Sequence, residues 1–172
     1  MNDPKRELLQ ALEDYYRSEG EPGEMSIFTA DELGTTMDMF RMELAGFGSD
    51  GVSVLGEFFF MPFEEKGILY FSTVITLLST VSIGLAPDIA AAVARLNYYL
   101  PCGCYALGNK DQNLIYRMTV PLTENRPLEE LKKDIILAAD TAIGAAEAYE
   151  GYLKRVILNE LTVEEMINEL TK

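Results

Sequence analysis

Cys102 and Cys104 are the residues whose type and spacing first invite chemistry, as half of a zinc or redox site. A tetrahedral zinc site needs four ligands, and the chain has no third cysteine and no histidine. A Cys-x-Cys pair is also not the Cys-x-x-Cys of thioredoxin-like exchange. On a strand both thiols point the same way, which suits neither a bridge between them nor a staple to a distant segment. Structural burial is the simpler reading, since cysteine is a small apolar residue. Two chains supplying two thiolates each is the one metal route left. The missing histidine also removes every Ser-His and Cys-His nucleophile–base arrangement.

Carboxylates are the next resource, because a pair can divide acid and base roles, as in glycoside hydrolysis. Glu129, Glu130, Glu147, Glu150, Glu164, Glu165 and Glu169 fall opposite the apolar stripe of helical patterns, which reads as a solvated face. Glu57 differs. It sits inside an aromatic strand beside Phe58, within reach of Arg41 or Arg117 across a sheet. Glu57, Arg41 and Arg117 are therefore the candidate site for a small molecule or a carboxylate-dependent reaction, with structural pairing the plainer account. The run GFGSDG at 46–51 echoes a phosphate-binding loop, but it lacks the lysine and leads into a strand. No catalytic residue, metal ligand or cofactor is expected.

Phe58, Phe59, Phe60, Tyr98, Tyr99 and Tyr105 are more aromatic bulk than one thin core needs. Part of it packs inside. Phe58, Phe59, Tyr98, Tyr99 and Tyr105 are the candidates for a dimer or client surface, where aromatics are enriched.

These residues must be placed by one domain spanning 1–172, a usual domain length. The hydrophobic fraction of 48% belongs to a globular chain. A net charge of −14 argues against nucleic acid and against anionic lipid. The charged N-terminus does not read as a signal peptide, and free thiols predict a cytoplasmic address. Residues 67–87 carry no charge, about the ~20 residues of a membrane span. Six of them are Ser or Thr, and the run resolves into a β-branched strand, a turn and a Pro-Asp helix start.

Along the chain, Asp3-Pro4 caps a helix carrying Leu8, Leu9 and Leu12 on one face, ended by a mobile Gly/Pro loop at 18–23. Strands are expected at 37–47, 52–63 and 68–78, the first two joined by a hairpin at Asp50-Gly51. A helix over 87–100 is stopped by Pro101. Strands at 102–107 and 113–122 follow, joined by a turn at 108–111, with Pro121 marking a strand end or edge. A long helix runs from Pro127 to Glu160, with a kink or break near Gly144 or Gly151. Thr162 and Glu165 form a capping box for a short terminal helix. The order α-β-β-β-α-β-β-α-α predicts an α+β two-layer sandwich with a mainly antiparallel five-stranded sheet.

That order and the segment LNYYLPCGCYALGNKDQNLIYRMTVPL (96–122) resemble the type III secretion chaperone-like fold, and within it the YbjN family, often labelled a bacterial sensory transduction regulator. The shared features are a helix ending in Leu-Asn, a two-stranded hairpin, the hydrophobic-Arg-hydrophobic middle Ile115-Tyr116-Arg117-Met118, and a long helix after Pro127. The resemblance implies a small cytoplasmic homodimer that holds a segment of another protein, an unidentified client, and catalyses nothing. Tyr98, Tyr99 and Tyr105 beside an uncharged strand place the expected dimer contact at the second helix and the hairpin after it, because an uncharged edge invites pairing.

Overall fold

The computed structural model describes residues 3–63, 65–108 and 113–172. The first helix, α1, covers Pro4–Glu19. The Asp3 carboxylate accepts from the Lys5 N–H at 3.0 Å, proline occupies the first turn, and Gly20 closes the helix in the left-handed region at φ 79°. Its buried face is Leu8, Leu9, Leu12 and Tyr16.

The loop at 18–23 does not run on to the first expected strand. A short strand β1 (Met25–Phe28) and a one-turn helix α2 (Ala30–Leu33) come first. Gly23 is needed here, because a side chain would be driven into the Glu43 carbonyl of the neighbouring strand. Four residues are too few to show an alternating pattern in sequence, so β1 was not anticipated.

Strands β2 (Met39–Phe47), β3 (Val52–Phe60) and β4 (Ile68–Leu78) follow as antiparallel neighbours. The expected strand start at 37 and strand end at 63 are each trimmed. A 3₁₀ turn (Ile83–Leu85) leads into helix α3 (Ala86–Leu96). The uncharged run 67–87 is thus a strand and its exit, and no helix of the described residues is long and apolar enough to cross a membrane. The hairpin that follows is β5 (Cys104–Leu107) against β6 (Leu114–Thr123); of its expected turn, residues 109–111 lie outside the described residues. Pro121 falls past the reach of β5, where β6 has only β4 beside it.

One antiparallel sheet results, in the order β1-β2-β3-β4-β6-β5. It has six strands rather than the expected five, β1 being the addition. The α+β class and the antiparallel sheet stand as read from the sequence.

The long helix is interrupted. Helix α4 covers Leu128–Ala148, Tyr149 departs from helical geometry at φ −126°, and α5 resumes over Glu150–Ile157. The break lies two residues before Gly151, while Gly144 stays within α4. The cause is tertiary: the β2–β3 hairpin docks there, with the Gly48 N–H donating to Glu147 Oε1 at 3.2 Å. Helix α6 (Val163–Leu170) carries the expected Thr162/Glu165 capping box.

Helices lie on one face of the sheet. Leu12 and Tyr16 of α1, with Ile135, Ala139 and Ala142 of α4, cover Phe40, Phe58, Phe71, Ile75 and Tyr116. Small residues on α4 let it approach closely, and complete burial of each large apolar side chain contributes about 1.5–3 kcal/mol.

Candidate functional site: the uncovered face of the sheet

Strand pleating sends alternate residues to the face that carries no helix. The register aligns them in rows that cross the sheet. One row runs Ser26, Arg41, Glu57, Val74, Arg117, Cys104 from β1 to β5. A second runs Phe28, Met39, Phe59, Ser72, Thr119. A third runs Glu43, Leu55, Thr76, Ile115, Ala106. Phe28, Phe59, Val74 and Ile115 are half-buried among their row neighbours, yet none belongs to the core cluster. Leu55 is an exposed large apolar residue of the same face.

The polar groups of this face are few. Arg41 donates to Glu57 Oε1 from Nε at 2.9 Å, and its Nη2 lies 2.8 Å from the same oxygen. The Arg41 guanidinium also sits 5.5 Å from the centroid of the Phe28 ring. Ser72 and Thr119 share a hydroxyl hydrogen bond at 2.8 Å. Arg41, Glu43, Phe28 and Leu55 line a shallow, open depression of about 200 Å³. Arg117 is not part of its wall: β4 separates it from Glu57, with Val74 between them in the row. Of the three residues expected to converge, two pair and the third stands apart. The pairing is the cross-strand ion pair read as the plainer account.

Two of the five aromatic candidates are not surface residues. Phe58 is fully buried, its ring 5.5 Å from that of Phe40 beneath α1. Its parity on β3 points it inward, and Phe59 alone of the pair faces out. Tyr105 is also in the core, and its hydroxyl donates to the Ala146 carbonyl near the end of α4 at 2.7 Å. Burial pushes the Tyr105 phenol above its ordinary range. Tyr98 and Tyr99 do form a surface patch. Tyr98 is 85% exposed and meets Tyr99 edge-on at 5.3 Å, and Tyr149, at the α4–α5 break, places its hydroxyl 3.5 Å from the Tyr99 carbonyl.

The edge of β5 is not open where it was expected to pair with another chain. The Tyr105 N–H donates to Asn97 Oδ1 at 2.8 Å, and Asn97 Nδ2 donates to the Tyr105 carbonyl at 3.0 Å. One side-chain amide thus takes the place of a neighbouring strand. The opposite edge is treated alike, with Arg17 Nη2 donating to the Met25 carbonyl of β1 at 2.8 Å. Both devices come from the helix preceding the strand and blunt an edge against pairing.

Cys102 and Cys104 are free thiols. Tyr116 donates to the Cys102 carbonyl at 3.0 Å, over Gly103, whose φ of 63° and crowded surroundings exclude a side chain. Among the described residues no group of His, Cys, Asp or Glu side chains is placed to hold a metal ion. Elsewhere Glu150 is buried at the helix break; it pairs with Lys154, and its Oε2 has no hydrogen-bond partner. Lys154 also lies 3.1 Å from Asp50, and that contact holds the Asp50 carboxyl below its usual range.

Sequence reasoning missed Phe28, because β1 was not anticipated, and Asn97, whose role depends on a strand eight residues later. A signal for the face existed in β4. Its outward set Tyr70, Ser72, Val74, Thr76 is uncharged, unlike the outward Arg41 and Glu43 of β2. No protein-family model and no curated protein matches the chain.

Proposed function

We propose that this chain is a non-catalytic protein-binding domain, adaptor- or chaperone-like, that acts as a homodimer and holds a segment of another protein. The observation that carries the reading is the uncovered sheet face, whose outward β4 positions Ser72, Val74 and Thr76 are uncharged and whose Phe28, Phe59, Val74 and Ile115 take no part in the core cluster. A surface of that kind is characteristic of contact with another protein. The Tyr98–Tyr99–Tyr149 patch supports a second contact for a client, because large aromatics with a polar tip suit interfaces. A reaction at Glu57, Arg41 and Arg117 finds no comparable support, since Arg117 stands across β4 from the pair and the depression beside Arg41 is shallow and open. The cytoplasmic address and the regulatory role implied by the resemblance belong to the same proposal.

The experiment is affinity capture with quantitative mass spectrometry, using wild type and Tyr98→Ala, combined with sedimentation equilibrium. The reading expects a dimer and a discrete set of captured proteins depleted by Tyr98→Ala. A monomer that captures nothing beyond background contradicts it.

A further inference from the structure

We propose that the cleft between α1, α4 and the end of β2 is a docking site for an arginine side chain of a client protein, its stem on the cleft floor and its guanidinium at the rim. The inference rests on the reading of the chain as a holder of another protein's segment, and names where one side chain of that segment goes.

The cleft has a volume of about 350 Å³. That is the low end for a ligand pocket and suits one side chain better than a larger molecule. Its floor is apolar: Leu44 and Phe47 from the end of β2, Tyr16 of α1, and the half-buried Ile143 of α4. Gly144 lies beside Ile143 in the interior of α4, where only proline is a poorer helix former. Its φ is not left-handed, and a Cβ added to it would meet nothing within 4 Å. No neighbour in the chain uses the room this glycine leaves; that room belongs to the cleft. An occupant from outside the chain accounts for it.

Charge selects the occupant. The rim consists of the exposed carboxylates of Glu21, Asp140 and Glu147, and the lining holds no lysine or arginine. None of the three has a cation within 4 Å among the described residues. What Asp140 and Glu147 accept comes from neutral donors. Asp140 takes the Tyr16 phenol at 2.8 Å and the Tyr15 phenol at 3.4 Å, and Glu147 takes the Gly48 N–H. Glu147 also walls a neighbouring hollow at the helix break, where Oε2 of the buried Glu150 has no hydrogen-bond partner. Acceptors in want of donors therefore extend along this wall. An apolar floor under an anionic rim suits a side chain with a long apolar stem and a cationic head. Arginine fits better than lysine, because its planar head offers five donors in a fixed fork, serves more than one carboxylate and is more weakly hydrated. The rim is open, so a free guanidine compound would leave much of its surface in water. A chain segment adds contacts beside the arginine, as with the exposed Ala45.

The test is an NMR titration with the peptide Ac-Ala-Arg-Ala-NH2 and with its citrulline counterpart, which keeps the shape of arginine without its charge. It is run at physiological ionic strength on wild type, Gly144→Leu, Glu21→Gln/Asp140→Asn, and Glu164→Gln, an exposed carboxylate on α6 outside the cleft. In the wild type the amides of Ile143, Gly144 and Glu147 are expected to shift and to saturate below ~10 mM arginine peptide, and to stay in place with the citrulline peptide. Gly144→Leu and the double variant are each expected to weaken binding about tenfold or more, and Glu164→Gln by less than about twofold. Gly144→Leu is also expected to raise the melting temperature by about 2–4 °C, since leucine is the better helix former and the space is open, which separates a lost site from a lost fold. Shifts scattered over the surface, or an equal loss in Glu164→Gln, mean general attraction of cations to a chain of charge −14 and overturn the site. Equal binding of the citrulline peptide overturns guanidinium recognition. Agmatine binding about tenfold tighter than the peptide overturns a protein as the source. No saturation below ~10 mM overturns the proposal as a whole. Affinity capture with Glu21→Gln/Asp140→Asn is expected to deplete the captured proteins. An unchanged set that Tyr98→Ala still depletes overturns the cleft and leaves the client-holding domain.

Discussion

Replacing Asn97 with alanine removes one side chain and leaves two backbone groups of Tyr105 without partners. The lost bonds are those of 2.8 Å and 3.0 Å between the Asn97 amide and the Tyr105 N–H and carbonyl. Each such bond contributes a net ~0.5–1.5 kcal/mol, so the pair is worth about 2 kcal/mol. For a chain of 172 residues that corresponds to a melting temperature lower by about 4–8 °C. A second effect accompanies it, because the unclamped β5 edge can now take a strand from another molecule. Asn97→Asp keeps an acceptor for the N–H but sets a carboxylate against the Tyr105 carbonyl, so it should fall at least as far in stability. Urea unfolding reports the first effect, and light scattering against concentration reports the second. Asn97→Ala within about 0.5 kcal/mol of wild type, with unchanged scattering, would refute the edge clamp.

The Glu150–Lys154 pair at the helix break is largely buried, so Lys154→Met should cost about 3–5 kcal/mol by stranding a carboxylate, and adding Glu150→Gln should recover most of it in urea unfolding. Gly103→Ala drives a methyl into the Tyr116 ring at a left-handed φ and should lower stability by more than about 2 kcal/mol, read by thermal melting. Burial is the main cause that raises the phenols of Tyr16, Tyr105 and Tyr116 above the ordinary tyrosine range. The folded state therefore keeps those protons longer than the unfolded chain. Their contribution is complete below the unfolded value of about 10 and is lost progressively as pH rises from there towards the raised folded values, so these three of the nine tyrosines should ionise only in step with alkaline unfolding, as a late component of the tyrosinate absorbance.

The parts legible in the sequence were those governed by local rules. The Asp3-Pro4 start, the Asp50-Gly51 hairpin and the Thr162/Glu165 box are each decided by a few adjacent residues, and each appears where expected. Tertiary contacts decided the rest. Strand β1 exists because Gly23 lets the chain lie against β2, and α4 ends because Glu147 and Glu150 receive the β2–β3 hairpin. Glu147 and Glu150 also look like solvated helix positions from sequence, but the hairpin covers Glu150. At the candidate site, the Arg41–Glu57 pair followed from cross-strand parity. Parity also turns Phe58 inward and Phe59 outward, a choice obscured by three consecutive phenylalanines. Tyr105 was misplaced for a different reason: an uncharged strand reads as an open edge until the residue that plugs it, Asn97, is seen.

The claim that another protein surface covers this sheet face is tested most directly by methyl NMR with a water-soluble paramagnetic probe at a protein concentration well above the micromolar range. Val74 and Ile115 lie on the bare face, Leu137 is 67% exposed on α4, and Ile75 is fully buried. The account predicts that Val74 and Ile115 are shielded nearly as well as Ile75 and become accessible on dilution, while Leu137 is broadened throughout. Broadening of Val74 and Ile115 to the extent of Leu137 at high concentration would contradict it.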